Sequence, residues 1–183
     1  MTESEDNQAV DPHSSDDIVF LQPYDDDWPK RAATEATLLK EANLPGWRTV
    51  EHVGSTAIPG MSAKPIIDLA LAVDCDIIDP NLLAGLSAIG YRHLGNFGLP
   101  GREFFRKGQP TNIHLHVVRV GSEHWDAWMR LRDFLRSNPT WLERYQEEKL
   151  RLASTYRQNR AAYTLAKGEI VRQILDAAEE LNF

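Results

Sequence analysis

Cysteine is nearly missing from this chain. The single Cys75 in 183 residues excludes an intrachain disulfide and a cysteine-rich zinc cluster, and it fits a reducing compartment. No apolar run approaches the roughly 18 residues of a membrane helix, and Met1 to Asp6 have neither the basic start nor the apolar core of a secretory signal. The expectation is a soluble, unprocessed, cytoplasmic protein with no membrane partner. There is no Walker-type glycine loop, which argues against direct kinase activity, and Cys75 has no catalytic partner nearby. The continuous aromatic interleaving of single-strand binders is missing too, so nucleic acid is not the expected partner.

Lysine and arginine are absent from residues 1–27, where nine acids stand. The chain carries a net charge of −7, yet the residues after 27 hold 20 basic against 18 acidic groups. Acidity therefore belongs to the N-terminal arm, whose few apolar residues do not offset the entropy of ordering it. Residues 1–17 are expected to be disordered, as a solubilising tail or else as a nucleic-acid mimic or partner-binding arm. The remaining 18–183 are long enough for one domain, with a sheet part over 18–120 and a helical part over 121–183.

Within the sheet part, Asp27 followed by Pro29 offers a cap and an early proline for a helix ending near Ala42, before Pro45-Gly46. Trp47 to Val53 reads as a strand. Ile66 to Val73 is an almost unbroken apolar run with Asp68 inside it, the pattern of a buried central strand. Asp79-Pro80 opens a helix that Gly90 closes in a left-handed turn. Short strands are expected at Tyr91–Leu94, Glu103–Arg106 and Asn112–Val118, with a mobile glycine-rich loop over 95–101. After Gly121, Ser122 and Asn138 cap successive helices. Trp125, Trp128, Leu131 and Leu135 share a face that reads as core, and the last helix carries a stripe from Val171 to Leu181. The fold class is α+β, a small mixed sheet flanked by helices with a helical C-terminal part.

An acid inside a buried strand is costly unless paired, so Asp68 is expected to meet a protein cation, with Lys64 a candidate, or a metal. Upstream, Gly54-Ser55 at a strand end is either an ordinary turn or a place where backbone N–H groups and a hydroxyl face a phosphate. Asp68 lies 13 residues after Ser55, which would let two adjacent strands present phosphate donors and a metal ligand together. His114 and His116 share a strand face. They are expected either to ligate an ion with Asp68, or to pack and bind an anion. Imidazole would move the preference from Mg²⁺ towards Mn²⁺ or Zn²⁺. Arg102, Arg106 and Lys107 form a basic cluster that would hold phosphate or remain a solvated loop. Tyr163 and Lys167, four apart, share a helix face with the option of closing over a nucleotide, as Lys149 has, or of snorkelling. His52 and Thr56 adjoin the Gly-Ser turn and are expected to bind phosphate or nucleotide with it.

Residues 19–178 resemble the GrpB family, assigned to the nucleotidyltransferase superfamily with the DNA polymerase beta-like fold. The resemblance is carried by Pro23-Tyr24-Asp25 with Trp28-Pro29, Glu51 to Gly60, Ala63 to Asp68, Phe104 to Gly108 and His114 to Val117. It implies a mixed sheet of nucleotidyltransferase type with Gly54 and Ser55 facing phosphate beside a metal-binding Asp68. The implied ligand is a nucleotide or other phosphorylated small molecule. The implied activity is divalent-metal nucleotidyl transfer to an unknown acceptor, with Asp68, Ser55 and Lys64 catalytic. Two departures stand out: the superfamily's second acid falls at Ala70, and its third where this chain has His114 and His116. Relatives fused to dephospho-CoA kinase imply the alternative, a non-catalytic folding or accessory domain that interacts with such a kinase.

Overall fold

The apolar run after Ile66 forms β2 (Ile67–Val73), in which every residue except Asp68 is buried. A strand enclosed on both faces belongs inside a sheet. β2 pairs antiparallel with β1 (Trp47–Val53) and parallel with β5 (Ile113–Arg119). β4 (Arg102–Lys107) adds antiparallel to β5, and the two-residue β3 (Arg92–His93) closes the edge, giving the order β1-β2-β5-β4-β3. The computed structural model describes residues 18–74 and 78–183; the acidic arm 1–17 and Cys75 lie outside the described residues.

Strand alternation gives the sheet two unlike faces. On one, Ile67, Leu69 and Leu71 of β2 join Phe105, Leu115 and Val117 under α1 (Trp28–Glu41) and α2 (Pro80–Ala88), where Trp28, Leu39, Leu82 and Leu86 are fully buried. On the other face stand Asp68, Ala70, Phe104, His114 and His116, brought side by side by the register Asp68↔His114, Ala70↔His116 and His116↔Phe104. Over this face lie α3 (Glu123–Ser137), α4 (Pro139–Thr155) and α5 (Arg160–Glu180). The α+β class expected from the sequence is the one found, and no helix among the described residues is long and apolar enough to cross a membrane.

The helices have their own core of Phe134, Leu135, Tyr145, Ile170, Ile174 and Ala178, and into it the β1–β2 connection inserts Ile58 and Met61. Polar bonds fasten the same connection from above. Arg136 donates to the Ala57 carbonyl at 3.0 and 2.7 Å, and the Gln146 side chain accepts from Ser62 N–H at 2.8 Å. Arg132 binds Glu51 Oε2 at 2.9 Å and the His52 carbonyl at 3.1 Å. Residues 54–64 are thus held between sheet and helices.

Four local expectations are corrected. Asp27 does not cap α1: its own backbone is helical and its carboxylate takes Lys30 Nζ at 2.7 Å. Asn138 does not cap α4 but donates back to the Phe134 carbonyl, closing α3, while Asp79, Ser122 and Asn159 do cap their helices. Leu181 ends the α5 stripe exposed, and Ile170 is the buried member instead. The 95–101 loop is not left free, because Arg102 donates to the carbonyls of Asn96 and Phe97 at 2.9 and 3.0 Å. Gly90, at φ 92°, closes α2 as expected.

Phe134 is fully buried where α3 meets the inserted connection. Phe134→Ala is expected to cost about 3–5 kcal/mol in urea denaturation, with loss of the helical core ahead of the β-sheet in hydrogen exchange.

Candidate functional site

Gly54 ends β1 with φ 71° and ψ −172°, a conformation that side chains avoid, and it does so because Asp68 lies against it. A Cβ at position 54 would stand 2.7 Å from Asp68 Oδ2. The turn then runs into a short 3₁₀ segment, Ser55–Ala57, which aims the Ser55 hydroxyl at the same space as Asp68.

Asp68 finds its partners on β5. His114 Nδ1 donates to Asp68 Oδ1 at 3.0 Å and His116 Nε2 to the same oxygen at 3.5 Å. Burial disfavours the carboxylate, yet these two bonds outweigh it and hold the group well below the usual carboxylate range. Lys64, the candidate partner from sequence, makes no such pair and instead lines the cleft nearby. The remaining nitrogens complete the arrangement. His116 Nδ1 accepts from Arg102 Nη1 at 3.3 Å, and burial keeps this ring neutral by pushing its pKa down against the pull of Asp68. His114 Nε2 is buried without a hydrogen-bond partner among the described residues.

Asp68, His114 and His116 therefore meet, but they meet as a carboxylate held between two imidazoles. As arranged they do not fit Mg²⁺, Mn²⁺ or Zn²⁺: His116 has both nitrogens engaged, the two rings converge on one carboxylate oxygen, and Ala70 offers no second acid. No group of three His, Cys, Asp or Glu side chains among the described residues is placed to hold a metal ion.

Around this trio opens a cleft of ≈ 530 Å³ between the sheet and α3–α5, within the range of small-molecule sites. Its walls carry Lys64, Arg102, Lys149, Arg160 and Lys167, against Asp68 as the one acid among the described lining residues. Lys149 is the most unusual of these. It is 2% exposed, and its amine donates to two neutral acceptors, Ser55 Oγ at 2.8 Å and the Ser62 carbonyl at 2.6 Å. Burial, then repulsion from Lys167, push its pKa well below the ordinary lysine value. Burial likewise brings Lys64 down to about 8, with Arg160 and Lys167 adding to the effect. Lys167 keeps its proton more firmly than usual, Tyr145 being the first cause, and stands 5.7 Å from the Tyr163 ring.

Of the residues expected at the site, Gly54, Ser55, Thr56, Lys64, Asp68 and Arg102 line the cleft, as do His114, His116, Tyr163 and Lys167. Three do not reach it. Lys107 alternates to the opposite sheet face, where it binds Glu35 Oε1 at 2.7 Å. Arg106 lies over the Phe97 and Phe104 rings, 5.2 and 5.8 Å from their centres. His52 turns away to meet Thr56 Oγ1 at 2.9 Å. Sequence reasoning did not place Arg160 at the site, and it left Lys149 open between closing over a nucleotide and snorkelling; both line the cleft. The signal for Lys149 was a lysine on the apolar stripe between Tyr145 and Leu152. Trp128, expected in the core, faces the cleft and packs 4.9 Å from His116.

The model of the GrpB protein family matches residues 18–177. A UPF0157 protein of Pseudomonas aeruginosa is 38% identical over 172 residues, 91% of this chain and 70% of that one. The solved structure of the conserved protein GrpB from Enterococcus faecalis superposes with a TM-score of 0.75 at 29% identity, over 86% of this chain and 98% of that one. A protein named dephospho-CoA kinase, from Mycolicibacterium paratuberculosis, is 30% identical over 127 residues, 54% of this chain and 31% of that one. The chain belongs to the GrpB family.

Two outcomes follow from the geometry. Gly54→Ala forces a side chain into left-handed backbone and onto Asp68, and is expected to destabilise by more than about 1 kcal/mol in chemical denaturation. Burial also pushes His52 down to about 4 from an unfolded value of 6.5. Below pH 6.5 the unfolded chain takes up a proton that the folded chain refuses, so stability present above 6.5 falls as the pH drops towards 4. His52→Gln is expected to flatten this slope by up to one proton in stability measured across that range.

Proposed function

This member of the GrpB family, we propose, binds the phosphates of a nucleotide or similar phosphorylated small molecule in the cleft, at the end lined by Ser55 and Lys149. The observation that carries the reading is the surplus of basic groups there, above all Lys149, buried against neutral acceptors. Burying an ammonium without a carboxylate is expensive, and an incoming phosphate supplies the missing negative charge. Ser55 and the backbone after Gly54 offer further donors on the same side.

Nucleotidyl transfer is the reaction that such a cleft would serve. An acceptor hydroxyl attacks the α-phosphorus and releases its proton to solvent, the bond to the bridging oxygen breaks, and pyrophosphate leaves with its charge offset by Lys64, Lys149 and Lys167. Asp68, held strongly acidic, is a poor proton acceptor and serves to fix the two imidazoles.

A second reading, an accessory domain without turnover, draws on Ala70 and on the match of this chain to part of a protein named dephospho-CoA kinase. Pyrophosphate release from labelled nucleotide across a panel of acceptors supports transfer. Binding without release, together with capture of a purified dephospho-CoA kinase, supports the accessory role.

Calorimetry with ATP, GTP, CTP and UTP, each with and without Mg²⁺, tests the binding itself. Lys64→Met is expected to weaken the bound nucleotide about tenfold or more, the size of a lost charged hydrogen bond. Because a phosphate raises the pKa of Lys64 from about 8, binding near pH 8 is expected to take up protons. The measured heat then changes with the ionisation enthalpy of the buffer. Absence of binding by all four nucleotides overturns the reading.

A further inference from the structure

The proposed phosphate site uses one end of the cleft and leaves the other without a task. Lys64, Lys149, Arg160 and Lys167 crowd together at the first end. Arg102, the remaining cation of the wall, lies instead among His116, Phe104 and Asp68. Asp68 is near both groups, between them.

Away from the lysines, the wall is a continuous run of rings. Phe97 packs on Phe104 at 5.2 Å, Phe104 on His116 at 5.1 Å, and His116 on Trp128 at 4.9 Å, and all four line the cleft. The core of α3 is supplied by Phe134 and Leu135, both 0% exposed, whereas Trp128 stays half-buried at the cleft wall. A polyphosphate alone needs neither an aromatic wall nor ≈ 530 Å³ of space. The order of charges along the cleft adds a direction. A carboxylate between the two ends repels a phosphate but accepts a hydroxyl.

We propose that the aromatic end is a subsite for a planar heteroaromatic ring, the base of a nucleotide, which stacks on the Trp128 indole. The sugar hydroxyls then meet Asp68, and the phosphates extend to Ser55 and Lys149. This inference rests on the phosphate-binding reading above and adds to it the part of the ligand that is not phosphate. Base–aromatic stacking tolerates any base, so the subsite selects for a ring before it selects among rings.

The test compares inorganic tripolyphosphate with ATP, GTP, CTP and UTP on the full chain, by calorimetry, in wild type, Trp128→Leu and Trp128→Phe, with folding checked by circular dichroism and melting. Wild type is expected to bind at least one nucleotide about tenfold or more tighter than tripolyphosphate, the order that stacking supplies. Trp128→Leu should abolish that difference while leaving tripolyphosphate affinity unchanged, and Trp128→Phe should retain most of it. Equal affinity of wild type for tripolyphosphate and all four nucleotides overturns the base subsite and leaves the phosphate site standing. So does an equal loss of both affinities in a folded Trp128→Leu. Binding of neither class by wild type overturns the phosphate reading and the base subsite with it. The wild-type comparison decides the matter even where the leucine variant does not fold.

Discussion

A carboxylate on the central strand of a sheet is the constraint from which the rest of this site follows. Asp68 is the one residue of β2 that is not buried, and its charge has to be matched from within a sheet face otherwise lined with apolar residues and rings. The match comes from the parallel neighbour β5, which places His114 directly beside it and His116 one pleat further on. Ala70, the register partner of His116, is small enough to let that second ring lean back towards the carboxylate. On the other side β1 has to end in a residue without a Cβ, because a methyl group at position 54 would collide with Asp68 Oδ2. One half-buried acid thus accounts for a glycine after β1, an alanine on its own strand and two histidines on β5.

The helical part answers a different problem. The β1–β2 connection leaves the sheet carrying Ile58 and Met61, which are buried only because α3, α4 and α5 close over them. Arg136, Gln146 and Lys149 then reach down to its carbonyls and amides. Arg136 is part-exposed and pairs with Asp133, so its charge is cheap. Lys149 is neither exposed nor paired with an acid, and a lysine retained under those conditions costs stability that a methionine of similar length would not. A structural clamp alone would not require that charge. Its place beside Ser55, in the wall of a cleft with further lysines, gives the cost a purpose if an anion is drawn there.

The sheet and the helices were largely legible in the sequence because their signals are local. The apolar run around Asp68, the caps at Asp79 and Ser122, and the left-handed Gly90 each depend on a few adjacent residues. Of the site, the Gly54-Ser55 turn, Asp68 and the histidine pair were legible for the same reason, since strand alternation fixes which side chains share a face. What was not legible depended on contacts distant in sequence. Lys149 is 94 positions from Ser55, and nothing in its own helix distinguishes a snorkelling lysine from one turned inward. Trp128 looked like core because an apolar stripe does not reveal whether the surface it faces is packed or open. Lys107 could have been separated from Arg102 by alternation alone, since the odd positions of β4 belong to the α1 face. Asp27 and Asn138 have the residue types of helix caps, but nearer partners, Lys30 and the Phe134 carbonyl, took their side chains.

The histidine pair also changes what the resemblance to nucleotidyltransferases implies. In that scheme the face of the central strands holds acids that share a metal; here the same positions hold one acid and two imidazoles that satisfy it. Protonated on Nε2 to serve Asp68, His116 must accept on Nδ1, and Arg102 is the donor it finds. Arg102 in turn holds the Asn96 and Phe97 carbonyls. The carboxylate is therefore connected, through one ring and one guanidinium, to the loop that carries Phe97 to the rim of the cleft. Asp68, His116, Arg102 and the carbonyls of Asn96 and Phe97 thus form one hydrogen-bonded chain from the central strand to the 95–101 loop.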